Sequence, residues 1–230
     1  MQGTMSERLL AAVVKRGYFW RYWYPRYNLM YSSRQLRFLL DCIDETAEVD
    51  GAVVEVGCAY GMTTTFLYEY LRDSGIRKDY FCIDTFSGFT SADIAYEREI
   101  RKKRFFYEAY FGNKVEWFKE NLLRRGINDI KIIQADIGEI DPDDLPRIAF
   151  CLLDVDLYRP VAGGLDKIFP RLNSGGMIVV DDCWAEKEHA FNPLVPEMFD
   201  GALGAYRGFL GRVNLPEEIV ERKLGVIRKE

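Results

Sequence analysis

No C-x-x-C pair occurs in this chain, and its five cysteines (Cys42, Cys58, Cys82, Cys151 and Cys183) are odd in number and scattered, mostly through apolar, strand-like runs. They read as free, buried thiols of a reducing compartment. No apolar run is long enough to cross a membrane, and the one at residues 9–14 is too short for a secretory signal. An excess of positive charge is also missing: a net charge of -5 gives no general attraction for nucleic acid. Histidine is nearly absent, so a histidine-based role can fall only on His189. At 230 residues the chain is about one large domain with a full core, and these absences leave a cytoplasmic enzyme as the expectation.

What is present is organised around residues 52–65, AVVEVGCAYGMTTT. Val53, Val54 and Val56 suit a strand buried on both faces, Gly57 and Gly61 allow close approach of backbone to a ligand, and Phe66, Leu67, Tyr70 and Leu71 follow at helical spacing. A strand, a tight loop (Gly57, Cys58, Ala59, Tyr60, Gly61) and a helix make the first βα unit of a nucleotide-binding sheet. The spacing from Glu55 is E-x-G-x-x-x-G, not the G-x-G-x-x-G of dinucleotide binders, which disfavours a nicotinamide oxidoreductase. No lysine follows Gly61 as a P-loop requires, so a ligand without a pyrophosphate fits better.

A second apolar run, Tyr80 to Ile83, ends in Asp84, followed by Thr85 and Phe86. Nucleotide folds place at this position an acid that accepts the hydrogen bonds of a ribose diol. Together Glu55, Gly57, Gly61 and Asp84 resemble the S-adenosylmethionine site of class I methyltransferases. The resemblance implies that the glycine loop cradles the amino-acid end of the cofactor, that the helix N-terminus helps hold its carboxylate, and that Asp84 takes the ribose. Residues 129–134 read as the third strand, and Asp136, with Ile137 beside it, stands where a side chain could meet the adenine amino group.

The fourth strand, residues 148–153, runs straight into Asp154, Val155 and Asp156. Residues 159–172 read as a helix closed by a turn at 173–176, and a fifth strand, 177–180, ends in Asp181 and Asp182. Carboxylates thus gather at the C-terminal edge of the sheet, where open α/β folds keep their ligands, and like charges need a counter-charge. Asp154, Asp181 and Asp182 could hold a divalent ion such as Mg²⁺. Alternatively they cap the helices that follow.

Two segments stand apart. Residues 1–33 interleave Lys15, Arg16, Arg21 and Arg26 with eight aromatic rings, and read as an arm that covers the cleft or contacts a second copy, with nucleic acid or a membrane surface as the alternatives. Residues 93–112 interrupt the alternation with Arg98, Arg101, Lys102, Lys103 and Arg104 beside aromatic residues. They read as a helix with one packed face, or as a phosphate-binding patch, placed to shape the acceptor pocket.

The runs VVEVGCAYGMTTTFL, IDTFSGF, LLDVDLY and GGMIVVDDC, in this order, resemble the macrocin O-methyltransferase family, which acts on sugar hydroxyls of macrolides and related molecules. The resemblance covers the chain from about Arg34 to its C-terminus. It implies a seven-stranded, doubly wound, mostly parallel α/β sheet with an antiparallel last strand, preceded by the arm. It also implies S-adenosylmethionine as cofactor, a small-molecule hydroxyl acceptor, and Asp154, Asp181 and Asp182 as Mg²⁺ ligands. The basic insertion and the arm match nothing in that pattern. For the proton of the acceptor, Asp156, His189 and a metal-bound water are all open. A metal-independent methyltransferase and a cofactor-binding scaffold without turnover are the competing readings.

Overall fold

The structure, a computed structural model, describes residues 29–105, 107, 112–190, 194–195 and 197–230. The chain divides into two units, Met1–Met30 and Tyr31–Glu230. Residues 1–28, which carry most of the expected arm and its role in an oligomer, lie outside the described residues, whereas Tyr31 and Ser32 belong to the larger unit.

That unit opens with α1 (Ser33–Glu45), started by a capping box in which Ser32 accepts from the Gln35 backbone N–H and the Gln35 side chain accepts from Ser32 N–H. Five parallel strands follow: β1 (Ala52–Val56), β2 (Tyr80–Asp84), β3 (Lys131–Gln134), β4 (Ile148–Leu153) and β5 (Leu172–Val180). A short β6 (Ile219–Val220) and β7 (Leu224–Arg228) close the sheet in the order β3-β2-β1-β4-β5-β7-β6, with β7 antiparallel to both its neighbours. The expected seven-stranded α/β sheet is therefore present. β1 and β4 are buried along their whole length, as continuous apolar runs require in a sheet covered on both faces. The order reverses between β1 and β4, which puts the switch-point crevice at their C-terminal ends. No helix among the described residues is long and apolar enough to cross a membrane.

The remaining α-helices among the described residues are α2 (Met62–Asp73), α3 (Ser91–Glu99), α4 (Val115–Leu123), α5 (Tyr158–Ile168) and α6 (Gly201–Val213). One expectation needs correction, and one helix was not expected. Residues 173–176 do not form a turn after α5; they bulge within β5, where Gly175 N–H donates to Lys229 O and Lys229 N–H to Gly176 O, because pairing with the last strand continues past them. Helix α6 escapes a periodicity reading because glycines punctuate it. They let it lie close on Tyr158: a Cβ at Gly201 would come 2.5 Å from the Tyr158 nitrogen.

The insertion is tied down by ion pairs. Glu97, fully buried, accepts from the Tyr158 backbone N–H and from Arg101, while Asp200 at the start of α6 takes Arg101 and Lys103. Tyr107, Ile94, Leu157 and Phe199 make a small apolar cluster around it. Arg101 and Lys103 are thus structural cations, in keeping with a packed face.

Candidate functional site

The loop after β1 is shaped by its neighbours in the protein. Gly57 has φ +87°, and a Cβ there would overlap the Asp154 carbonyl oxygen and lie 2.6 Å from its carbon. Gly61, at φ +80°, faces the Phe118 ring at 3.0 Å. Both glycines are needed for close approach to protein atoms, which sequence alone ascribes to a ligand. Asp84 is the anchor of the loop: its Oδ2 accepts from the backbone N–H groups of Cys58 (2.8 Å) and Ala59 (2.9 Å), and its Oδ1 from Phe86 (2.7 Å). Burial raises its pKa while those three donors oppose the rise. Oδ1 keeps a lone pair for a further donor.

The far side of the loop is held by the segment before and within α4. Asn113 donates to Ala59 O, Asn121 to Tyr60 O, and the half-exposed Tyr60 stacks on Trp117 and donates to Gly112 O. Thr85 Oγ1 donates to Gly88 O, and Phe86, at φ +51°, is buried against Phe118. Helix α2 starts at Gly61 with no capping side chain and no acidic residue in its first turn. Its first N–H groups are thus left for an anion such as an amino-acid carboxylate.

Glu55 departs from its expected contact with the cofactor. It is 1% exposed and sits inside the sheet, accepting from Tyr80 Oη (2.8 Å) and bonded to Thr64. Burial pushes its carboxyl up to about 7, against the lowering effect of those hydrogen bonds. A raised carboxyl means that the neutral form is the one folding favours. The stability this gives is full below the unfolded value near 4.5 and is lost as pH rises through about 7. Glu55→Gln is therefore expected to gain on the wild type with rising pH, by about 3 kcal/mol at pH 8, in urea unfolding run from pH 4.5 to 8. Parallel pH profiles for the two proteins would disprove it. Glu55, Cys58 and Cys82 bring their donor atoms within 4.8 Å of one another, and they are the group that does so among the described residues. Burial raises both thiols as well, so the two cysteines of this trio are protonated core residues.

The four aspartates after β4 and β5 do come together, and around a lysine. Lys223, 4% exposed in the turn just before β7, places Nζ 2.6 Å from Asp181 Oδ2 and 3.3 Å from Asp182 Oδ1. Asp182 Oδ1 also accepts from Trp184 Nε1 (2.9 Å) and Asp156 is hydrogen-bonded to Asp182, while Tyr31 Oη donates to Asp154 Oδ2 (2.7 Å). Asp181 and Asp182 are buried; Asp154 and Asp156 keep partial exposure. Burial, and then the negative charge of Asp181 and Asp182 respectively, raise Asp154 and Asp156 well above the usual carboxylate range; burial lifts Asp181 to about 6, against the pull of Lys223. None of these four side chains caps a helix: α5 begins at Leu157 without a side-chain cap.

Elsewhere, Asp136 Oδ1 accepts from Gly138 N–H and caps a short 3₁₀ turn, and Ile137 is core. His189 pairs across one turn with Glu186 at 3.1 Å, and no contact among the described residues joins it to the aspartates. Tyr31 and Lys223 are the members of the site that sequence reading missed. A charged residue opening an apolar strand is the one signal Lys223 offers.

A curated relative from Streptomyces olivaceus, 8-demethyl-8-(2,3-dimethoxy-alpha-L-rhamnosyl)-tetracenomycin-C 4'-O-methyltransferase, is 29% identical over 174 residues, or 70% of this chain. The chain spans 65% of that relative's length. Among solved structures, the O-methyltransferase NovP matches with a TM-score of 0.69 at 16% identity, covering 89% of this chain and 83% of its own. The SAH-bound Podospora anserina methyltransferase PaMTH1 matches with 0.59 at 16% identity, covering 100% and 98%. At such identities the structures establish the shared fold. The family described as Macrocin-O-methyltransferase (TylF) matches residues 21–192, most of the chain and all of the glycine-loop and aspartate motifs, so the chain belongs to the macrocin O-methyltransferase family.

Proposed function

We propose that this protein transfers a methyl group from S-adenosylmethionine to a hydroxyl of a glycosylated small molecule. The observation that carries this reading is the seam between Gly57 and Asp154: backbone contact there, with Asp154 N–H donating to Val56 O (2.8 Å), joins the cofactor loop to the aspartates. Membership in the family, and the rhamnosyl acceptor in the name of the Streptomyces relative, support the oxygen acceptor and the sugar.

The cofactor, when bound, supplies an electrophilic methyl group on a sulfonium, which an oxygen nucleophile displaces while the electron pair of the broken bond passes to sulfur. The protein's part is to bind, align and take a proton. The uncapped start of α2 receives the carboxylate, and the free lone pair of Asp84 Oδ1 suits a ribose hydroxyl. Asp154 and Asp156, the two partly exposed acids, hold the acceptor hydroxyl, and the ionised member of the pair accepts its proton. Alignment of oxygen and methyl carbon adds a contribution of several kcal/mol.

Magnesium, which the family resemblance implies, does not fit this arrangement. Asp154, Asp181 and Asp182 do not converge to ligand distance of one another, and Lys223 already neutralises two of them. Asp181 Oδ1 is buried without a partner, but a dication there would face the ammonium on the other oxygen of the same carboxylate.

Asp154→Asn and Asp156→Asn are expected to lower methyl transfer to a rhamnosyl glycoside by roughly a hundredfold or more, with cofactor affinity changed by less than about threefold. Mass spectrometry of the product and calorimetry with the cofactor read the two effects. Full turnover by both variants would remove these carboxylates from the chemistry.

A further inference from the structure

The aspartates at the ends of β4 and β5 are gathered around a cation that belongs to the chain itself. We propose that Lys223 is the resident cation of this cluster, in place of a divalent metal ion, and that it holds Asp181 and Asp182 beneath the two carboxylates facing the acceptor. Only that last clause rests on the methyl-transfer reading.

Lys223 is built in from every side. Its carbonyl accepts from Cys183 N–H at 2.7 Å, fixing the start of β7 against the residue that follows the two aspartates. Its ammonium lies 4.7 Å from the centre of the Tyr31 ring and 5.3 Å from that of Trp184, two aromatic faces that stabilise a desolvated cation. Those same residues bind the acids: Tyr31 donates to Asp154 and Trp184 to Asp182. The preceding turn places two non-glycine residues, Glu221 and Arg222, at positive φ, and Gln35 donates to Glu221 O at 2.9 Å. Such a conformation persists where the surroundings over-determine it. Its effect is to aim Lys223 inward from the sheet edge.

An ammonium is a monovalent charge on a covalent tether, so it neutralises acids without occupying an open coordination position. A divalent ion entering the cluster would have to displace it or lie within a few ångströms of it. The protein as purified should therefore ignore divalent metals, and removal of the lysine charge should create a metal site.

The test is Mn²⁺ binding to the ligand-free protein, read by electron paramagnetic resonance, together with thermal unfolding in EDTA or Mg²⁺. The wild type is expected to bind no stoichiometric Mn²⁺ and to unfold at the same temperature in both solutions. Lys223→Met should unfold earlier in EDTA, recover in Mg²⁺, and bind one Mn²⁺ at least about tenfold more tightly than the wild type. If Lys223→Met alone fails to fold, Lys223→Met with Asp181→Asn, which removes one charge of each sign, should fold and stay indifferent to metal. A wild type that binds one Mn²⁺ tightly and is stabilised by it overturns the proposal, as does a folded Lys223→Met with no gain in metal affinity. These readouts need no turnover, so an inactive enzyme would count against the methyl-transfer reading alone.

Discussion

Replacing Asp84 by Ala is expected to lower cofactor affinity by about a hundredfold or more and to destabilise the fold by about 2 to 4 kcal/mol. A residue that met only the ribose would lose affinity alone. Asp84 instead accepts from Cys58, Ala59 and Phe86, so its removal leaves three backbone donors unpaired at the turn that forms the cradle. Hydrogen bonds to a charged acceptor contribute about 1.5 to 3 kcal/mol each, and the loss is partly recovered where water reaches the loop. Asp84→Asn should fall between, since an amide can turn its oxygen to Cys58 and Ala59 but then meets Phe86 N–H with a donor. Calorimetry with S-adenosylhomocysteine and urea unfolding on the same preparations give both numbers. Lost affinity at unchanged stability would return Asp84 to a purely ligand-facing role, and unchanged affinity would take it out of the site.

Gly57→Ala should cost a comparable or larger amount of stability, about 2 to 5 kcal/mol, which is a large part of the 5 to 15 kcal/mol that holds a domain together. Two penalties add. At φ +87° a Cβ crowds its own backbone, worth about 1 to 2 kcal/mol. The same Cβ would occupy the Asp154 carbonyl, and backbone held in the β1–β4 ladder cannot turn aside, so the strand ends must part at an overpacking cost of about 1 to 3 kcal/mol. Gly61→Ala is the internal comparison. It meets the edge of the Phe118 ring, which can shift, and should cost about half as much. Equal stability of Gly57→Ala and wild type in urea would show that the seam between loop and aspartates is loose.

Much of this architecture is written locally. The buried runs at β1 and β4, the glycine loop and the succession of these strands along the chain follow from short-range pattern, because a strand covered on both faces must be largely apolar and a βα turn must admit positive φ. The aspartates at the sheet edge are legible for the same reason: each directly follows a recognisable strand. Helix α6 and the β5 bulge are not, since glycines suit them only through Tyr158 and through β7.

What tertiary structure alone decided is the direction in which each polar side chain points and what it meets there. Glu55 lies two residues from Gly57 in the motif, yet strand alternation and Tyr80 turn it into the core. His189 follows the double aspartate closely in sequence and pairs instead with Glu186. The counter-charge that the aspartates demand comes from Lys223, 41 positions beyond Asp182 in the chain, and Asp154 takes a neutral hydrogen-bond donor from Tyr31, 123 positions before it. Sequence fixes where charges end a strand because that is a local property; which charge neutralises them depends on contacts that exist only after the sheet has closed.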